Sequence, residues 1–371
     1  MKGRKESPSP APSPPPRWLA GTALAVRSGV RRLANLLVPP QLPMFELIAG
    51  VGVTSTIHAA ARLRLAEHLE ERPLDAAELA ARTGLPAESL HRLLRGLASI
   101  GVFALGRDGR FRNNRLSRTL RSGGPASLRD YADYFGSASN VQAWADLDRT
   151  LASGEPAFPR VHGMSVWDWF AAHPEEEQVF AGAMATLTEL FGAGVAAAYP
   201  FGEVERLCDV GGGIGTLLAS VLARHPHLAG VLFDSPEVIA AAGAFLAERG
   251  VAERVERIGG SFFATVPPGC DAYLLKNILH DWDDERAARI LANCRRAMQP
   301  GHRLLVVDAV VEKDTVNNFG PLSDLQMMVV CDGGRERGRS DLERLFERTG
   351  FRLARIFPTP TAMAVVEGIA V

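Results

Sequence analysis

Leu207-Cys-Asp-Val-Gly-Gly-Gly-Ile-Gly215 is the stretch that decides the fold. An apolar run ends in an acid, and a glycine cluster opens directly onto the helical pattern Thr216-Leu-Leu-Ala-Ser-Val-Leu-Ala-Arg224. This order indicates a strand, a tight turn and a helix, the arrangement that binds a nucleotide-like ligand at the end of a parallel sheet. The stretch therefore predicts an α/β domain with its ligand at the glycine turn.

The glycine turn also limits the kind of ligand. The dinucleotide fingerprint needs a third glycine where Thr216 stands, and the phosphate-binding loop needs a Gly-Lys-Ser/Thr ending that this turn lacks. A glycine turn without that lysine suits a ligand that carries no phosphate. S-adenosylmethionine is such a ligand, because it consists of adenine, ribose and an amino acid joined through a sulfonium.

The composition is that of a globular protein with more than one domain. The chain has 371 residues, of which 47% are hydrophobic and 22% charged, and a net charge of −1, so it can form two domains with large cores. The near-neutral charge argues against a nucleic-acid partner, and no apolar run approaches the ~20 residues that span a bilayer. The four cysteines lack Cys-x-x-Cys spacing. We therefore expect a cytoplasmic protein with no metal, nucleic-acid or membrane partner.

The chain before the glycine turn falls into three segments. We expect a disordered, proline-rich tail (1–17) and a short amphipathic segment over residues 1–41. A winged-helix-like domain is expected over 42–125, and helices rich in aromatic residues over 126–200. These segments precede the domain that carries the glycine turn.

The winged-helix-like pattern has two interpretations. A long, mostly buried helix is expected over 45–69, followed by two short helices and a hairpin with an Asp-Gly turn. The pattern favours a packing or dimerisation module. The alternative is a DNA-binding regulator, whose second short helix would offer only His91, Arg92 and Arg95 as contacts.

Residues 201–371 alternate between strand and helix patterns. Seven strands with helices between them predict a doubly wound, Rossmann-like sheet. The last two strands are close enough in sequence to be antiparallel. The candidate strands are 206–211, 230–235, 255–260, 272–278, 303–310, 352–358 and 363–369.

Polar residues follow several of these strands, at the edge where such sheets bind ligands. Asp234 ends the second strand, where its carboxylate can accept both hydroxyls of a ribose; the alternative role is the N-cap of the next helix. The third strand ends in Gly259-Gly260-Ser261-Phe262, where an aromatic ring can stack on adenine. This edge is therefore the predicted binding site.

The predicted catalytic group is a histidine at the same edge. His280 follows the fourth strand, Asp308 ends the fifth, and Glu336 lies in Gly333-Gly-Arg-Glu-Arg337. A histidine that two carboxylates orient is a general-base arrangement. We therefore expect His280 to remove a proton from the substrate.

At these residues the chain resembles a known family, the small-molecule O-methyltransferases that include plant caffeate-type and bacterial polyketide-tailoring enzymes. The resemblance covers roughly residues 42–371 and implies S-adenosylmethionine as cofactor, with S-adenosylhomocysteine as product. It also implies a homodimer built by the N-terminal domain and a small aromatic substrate, methylated on a phenolic or carboxylic oxygen. The matching motifs are Asp209-Val-Gly-Gly-Gly-Ile-Gly215, Phe233-Asp234, Gly259-Gly260, Leu279-His-Asp-Trp282 and Gly333-Gly-Arg-Glu-Arg337.

The resemblance gives individual residues their roles. His280 is the base, flanked by Asp308 and Glu336. Ser261 stands where the family often has Asp, and Asp308 replaces a more usual Glu and reaches about one methylene less far. Family members that keep the cofactor but decarboxylate, hydroxylate or catalyse pericyclic steps are the alternative. We assign Asp209, Gly211, Gly213, Asp234, Ser261, Phe262 and Lys276 to the cofactor, and Phe180, Met184, Met327 and Cys331 to the substrate pocket.

Overall fold

The computed structural model describes residues 17–124, 127–315 and 319–371. The disordered tail expected over 1–17 lies outside the described residues except for its last one. Contacts divide the chain into two compact units. The first contains Asp146–Val166 and Thr188–Val371 with the chain up to Thr22, and the second contains Ala23–Ala145 and Trp167–Leu187. The helical segment expected over 126–200 is therefore shared between the units.

The helices and strands are numbered here in chain order. The strands are β1 (Phe103–Leu105), β2 (Phe111–Asn113), β3 (Arg206–Val210), β4 (Ala229–Asp234), β5 (Val255–Gly259), β6 (Ala272–Lys276), β7 (Arg303–Ala309), β8 (Phe351–Pro358) and β9 (Met363–Ala370). The α-helices are α1 (Arg17–Leu36), α2 (Gln41–Ile48), α3 (Gly50–Arg62), α4 (Leu65–His68), α5 (Ala76–Thr83), α6 (Ala87–Ser99), α7 (Arg129–Gly136), α8 (Ala138–Ala145), α9 (Leu147–Ser153), α10 (Ala157–His162), α11 (Val166–Ala172), α12 (Pro174–Ala198), α13 (Thr216–Arg224), α14 (Pro236–Glu248), α15 (Asp284–Ala297), α16 (Gly320–Val330) and α17 (Arg339–Arg348).

The first unit is built on a seven-stranded sheet in the order β5-β4-β3-β6-β7-β9-β8. Strands β3 to β7 pair in parallel, whereas β9 is antiparallel to both β7 and β8. The predicted doubly wound sheet and its antiparallel last pair are confirmed. The strand order reverses between β3 and β6, so the carboxyl ends of these two strands flank the crevice where such sheets bind ligands.

Helices cover both faces of this sheet and bury two apolar layers. Leu217, Leu218 and Leu246 of α13 and α14 lie in one layer, and Ile290 and Phe346 of α15 and α17 lie in the other. Two helices that start at the ligand edge are each capped by a polar side chain, which accepts a free N–H of the first turn. Ser235, not Asp234, caps α14, and Asp283 caps α15.

The second unit contains a small helical core closed by the β1–β2 hairpin. Leu90, Leu94 and Leu97 of α6 are buried, as their spacing predicts. The single long helix expected over 45–69 is wrong. The chain breaks into α2, α3 and α4, and apolar side chains near the break are exposed, Phe45 by 68% and Ile48 by 70%.

Helix α12 is the one described helix that is long and apolar enough on its own to cross a membrane. Helices α2 and α3 pass the same test only if they are joined across a 45° bend. Length and composition alone are weak grounds, because the core helix of a soluble protein has the same properties. Parts of α12 are buried, at Ala183, Val195 and Ala196.

Candidate active site

The glycine turn after β3 leaves an open space beside bare backbone. Gly211 and Gly213 have φ angles of 69° and 59°, in the region where a side chain is strained. A Cβ on Gly211 would lie 2.5 Å from Ile278, whereas a Cβ on Gly213 would meet nothing within 4 Å. Gly213 is therefore the point at which a ligand can approach the backbone.

Asp234 braces this turn from the end of β4. Its Oδ2 accepts the Gly213 N–H at 2.8 Å, and its Oδ1 accepts the Ser235 N–H at 2.7 Å. Burial raises the pKa of Asp234, and these two N–H donors oppose the rise. An ionised carboxylate has about four acceptor sites, so Asp234 keeps capacity for ribose hydroxyls.

Two acceptors beside the turn lack donors. Oδ2 of Asp209, which lies below the glycines, and Oδ1 of Asn277 are buried and have no hydrogen-bond partner within the described chain. Burial raises the pKa of Asp209 to about 7, because the Lys276 charge offsets only part of the cost. Unpaired buried acceptors call for a donor. The ammonium group of S-adenosylmethionine is such a donor, so these residues fit that cofactor.

The two residues Ser261 and Phe262, which follow β5 and its paired glycines, differ in exposure. Ser261 is exposed, and its Oγ accepts the Phe263 N–H at 3.3 Å. A Cβ on Gly211 would lie 3.4 Å from an edge atom of the Phe262 ring, which places that ring beside the glycine turn. Phe262 therefore lies beside the glycine turn and Ser261 faces solvent, and the contact of Phe262 with adenine stays a prediction.

His280 lies in a short 3₁₀ turn, Leu279–Asp281, and is buried. Its Nδ1 contacts Oε1 of Glu336 at 2.9 Å. The same Oε1 accepts the Ser323 hydroxyl at 2.7 Å, so Glu336 is itself held in place. We assign the Nδ1 proton to the bond with Glu336, which leaves Nε2 as the nitrogen that gains or loses a proton.

The second acid beside His280 is not the one expected from the sequence. Oδ1 of Asp281 lies 3.5 Å from Nε2 of His280. The expected flanking residue, Asp308, instead accepts the backbone N–H of Asn277 at 2.9 Å and reaches His280 only through its charge. The sequence analysis missed Asp281, although it follows His280 directly in the quoted motif.

The carboxylates make His280 strongly basic. Burial lowers the pKa of His280, but Glu336, Asp281 and Asp308 outweigh it and raise the pKa to about 10. Burial raises the pKa of Asp281 to about 7 and that of Asp308 to about 6. It also lowers the pKa of Lys276 to about 8, although neighbouring carboxylates oppose this. The edge therefore holds more buried carboxylates than cations, which suits a cationic ligand.

A buried arginine fixes the loop that carries His280. Nη1 of Arg337 donates to the Leu279 carbonyl at 2.6 Å, and Nη2 donates to the Trp282 carbonyl at 2.8 Å. Nε and Nη2 also donate to Oδ1 of Asp284, at 3.0 and 2.8 Å. Sequence reasoning quoted Arg337 as part of a motif and gave it no role. The sequence signal that could have identified Arg337 is that it is a charged residue inside a glycine-rich motif.

The four residues expected to line the substrate pocket are divided between the units. Cys331, in the first unit, lies with its Sγ 3.8 Å from Oδ1 of Asp281, and Met327 precedes it on α16. Phe180 and Met184 belong to the second unit, where the Phe180 ring stacks on Phe170 at 4.7 Å. The structure therefore brings Cys331 to the His280 cluster, and the roles of the other three stay predictions.

The features expected for other functions are weak. In the described part of the chain, no group of three or more His, Cys, Asp and Glu side chains could hold a metal ion. His91, one of the three candidate DNA contacts, packs its ring edge-on against Phe111 at 5.6 Å. His91 is therefore half-buried against the hairpin of the second unit.

Comparisons with known proteins agree with this site. An O-methyltransferase domain matches residues 144–352, and an O-methyltransferase dimerisation domain matches 45–123. The phenazine O-methyltransferase PhzM of Lysobacter antibioticus is 40% identical over 89% of this chain and 96% of its own length. The aclacinomycin 10-hydroxylase RdmB of Streptomyces purpurascens is 36% identical over 86% and 87%. The crystal structure of LaPhzM superposes with a TM-score of 0.87 at 40% identity, over 90% of this chain and all of the other.

The two matched domains cover most of the described chain, and the dimerisation domain indicates a homodimer. The glycine turn, Asp234 and the buried acids at the sheet edge account for the cofactor that this family uses. The chain belongs to the S-adenosylmethionine-dependent O-methyltransferases of bacterial natural-product pathways.

Proposed function

We propose that this enzyme methylates a phenolic hydroxyl of a small aromatic natural product, and that His280 accepts the phenol proton. The observation that carries the proposal is the buried His280 ring, whose Nδ1 lies 2.9 Å from Glu336. S-adenosylmethionine, when bound, supplies a methyl group on a sulfonium, which an oxygen nucleophile displaces. The chain must therefore align that oxygen and take its proton.

The environment of His280 brings its proton affinity closer to that of a phenol. An ordinary histidine, with a pKa near 6.5, is about 3.5 units weaker as a base than a phenolate with a pKa near 10, a mismatch of ~5 kcal/mol. The carboxylates around His280 raise its pKa to about 10. Proton transfer from a phenol to neutral His280 is therefore less uphill than transfer to an ordinary histidine.

Alignment contributes more than the base. Correct placement of two reacting groups lowers the activation barrier by about 7–11 kcal/mol. A general base raises the rate by ~10²–10⁴, which is equivalent to a barrier lower by about 3–5 kcal/mol. Arg337 serves this alignment, because it holds the carbonyls on both sides of His280. The proposal therefore includes a residual turnover without His280.

An aromatic substrate is supported by the relatives and by the first unit. The relative PhzM is named for action on a phenazine, and Cys331 places a soft apolar side chain beside the His280 cluster. An aromatic carboxylic acid is the other substrate class, and such a group is already ionised at neutral pH. It would need no base, so the two classes differ in their dependence on His280.

The test replaces His280 with Ala and measures turnover on phenolic and carboxylic substrates. For a phenol, kcat should fall by ~10²–10⁴, and the residual rate should rise with pH as the substrate ionises unaided. Affinity for S-adenosylmethionine should barely change. His227→Ala is the matched control, because His227 is exposed and precedes β4 at the opposite edge of the sheet. Full kcat on a phenol at neutral pH would show that His280 is structural.

The second candidate function is non-methylating chemistry, and the resemblance to a hydroxylase favours it. The products separate the two functions. Mass spectrometry of an aromatic substrate incubated with cofactor should find an added methyl group, together with S-adenosylhomocysteine. An added oxygen or a lost carboxyl group with no S-adenosylhomocysteine would decide for the second function.

A further inference from the structure

Helix α1 is an amphipathic helix that no other part of the described chain covers over residues 21–37. Every residue over 21–37 is exposed, as is Leu19. At 3.6 residues per turn, four apolar side chains fall on one narrow stripe of the helix. They are Leu19, Val26, Val30 and Leu33, which are 46%, 59%, 62% and 60% exposed.

Away from this stripe, the charged side chains of α1 are all basic. Arg31 and Arg32 lie about 130° around the helix from the centre of the stripe and Arg27 about 90° from it. The exposed Leu24 lies on the same side as Arg31. No carboxylate within the described residues pairs with these arginines. Arg27 and Arg31 are four residues apart and repel each other on an isolated helix. The helix therefore needs a surface that both covers the stripe and supplies negative charge.

Positive charge is concentrated at this end of the chain. Residues 1–45 contain seven Lys and Arg and one Glu, a net charge of +6. The whole chain carries −1, so residues 46–371 carry −7. Helix α1 also precedes the matched dimerisation domain, which begins at residue 45. All of the LaPhzM structure superposes on 90% of this chain, so a tenth of this chain has no counterpart in LaPhzM.

We propose that α1 binds to an anionic lipid surface and attaches the enzyme to it. The stripe would enter the boundary between headgroups and acyl chains, and the arginines would meet the headgroup charges. A helix with an apolar stripe, arginines off that stripe and a low net hydrophobicity is typical of such binding. A second copy of this chain is the alternative occupant of the stripe. The proposal replaces the expectation that the chain has no membrane partner.

The test uses the full chain and unilamellar vesicles in a co-sedimentation assay. Vesicles of phosphatidylcholine mixed with phosphatidylglycerol should bind the protein, and pure phosphatidylcholine vesicles should bind it weakly. Each arginine near an anionic surface contributes about fivefold in affinity, so Arg27→Gln, Arg31→Gln and Arg32→Gln combined should lose on the order of 100-fold. The double variant Val26→Gln and Val30→Gln should also lose binding, while methyl transfer in solution is unchanged.

The matched control places the same side chain on the basic side of the helix, as Ser28→Gln with Asn35→Gln, and should bind like the natural protein. Equal binding by the stripe variant and this control would overturn the proposal, as would binding that ignores lipid charge. Sedimentation velocity tests the alternative that a second copy of the chain covers the stripe. A weaker dimer in the stripe variant, with no vesicle binding by the natural protein, would assign the stripe to a second copy and overturn the proposal.

Discussion

Replacing Glu336 with Gln tests whether the charge of Glu336 sets the basicity of His280. The amide keeps an acceptor for Nδ1 and for the Ser323 hydroxyl, but it removes a negative charge that contacts the ring at 2.9 Å. Two unit charges about 4 Å apart, at an effective dielectric constant of ~20, interact by ~4 kcal/mol, which is equivalent to about 3 pKa units. The charge is spread over two oxygens, so we expect the pKa of His280 to fall by about 1–3 units.

The sign follows from the role of His280 as a base. Only neutral His280 accepts a proton, so kcat on a phenol rises with pH until His280 has lost its proton. The natural enzyme has the carboxylates that raise the pKa of His280, so its rise should end at high pH. In the variant the rise of kcat with pH should end at least about one pH unit lower than in the natural enzyme. Its plateau should also be lower, because a weaker base transfers the proton less readily.

The assay follows methyl transfer to a simple phenol between roughly pH 6 and pH 10, with both substrates saturating. Glu285→Gln is the control, because Glu285 is exposed and its bond to Arg348 lies at the surface. A variant profile that coincides with the natural one, or ends at higher pH, would refute the reasoning. Either result would mean that His280 is not the titrating group or that Glu336 acts without its charge.

Three further predictions concern the cofactor turn and the His280 loop. Gly213→Val should abolish S-adenosylmethionine binding in calorimetry while circular dichroism shows an intact fold, since its Cβ meets nothing within 4 Å; Gly269→Val, also at a positive φ and in open surroundings but before β6, should bind normally. Affinity for S-adenosylmethionine should rise from about pH 6 to about pH 8 as Asp209 ionises, and Asp209→Asn should weaken binding and flatten the rise; an unchanged slope would exclude Asp209. Arg337→Met leaves two loop carbonyls without their donor and should lower the free energy of unfolding in urea by about 2–4 kcal/mol, with a smaller loss for Arg337→Lys; equal stability would show that the loop holds without the arginine.

Local patterns predicted the sheet well and the N-terminal helices poorly. Strands β3 to β9 lie within two residues of their expected bounds, because glycines and acids end them and their interiors are apolar. Over 45–69 the small apolar residues indicated one buried helix. The chain instead breaks at Ala49 and again at Arg64, whose φ is 51°. Exposure of Phe45 and Ile48 depends on surfaces outside one chain, which periodicity does not report.

The site was predictable as a set of residues and not as a set of contacts. Strand order places His280, Asp308 and Glu336 at one edge, and the structure has them there. Which acid touches the ring depends on side-chain length and on competing donors. Asp308 turns to the Asn277 N–H, and Asp281 takes the place beside Nε2. Sequence spacing contains no information about that competition.

The buried acids have a consequence for the charge of the site during turnover. The cofactor brings one positive charge to the edge that holds Asp209, Asp308 and Asp281, and that charge disappears when the methyl group leaves. In the proposed reaction His280, which lies within the same set of carboxylates, would gain a positive charge as it accepts the phenol proton. The total charge of the pocket therefore stays constant from reactants to products. The positive charge only moves within the set of carboxylates. The reaction therefore avoids a change of net charge, which is costly in a poorly polarisable interior.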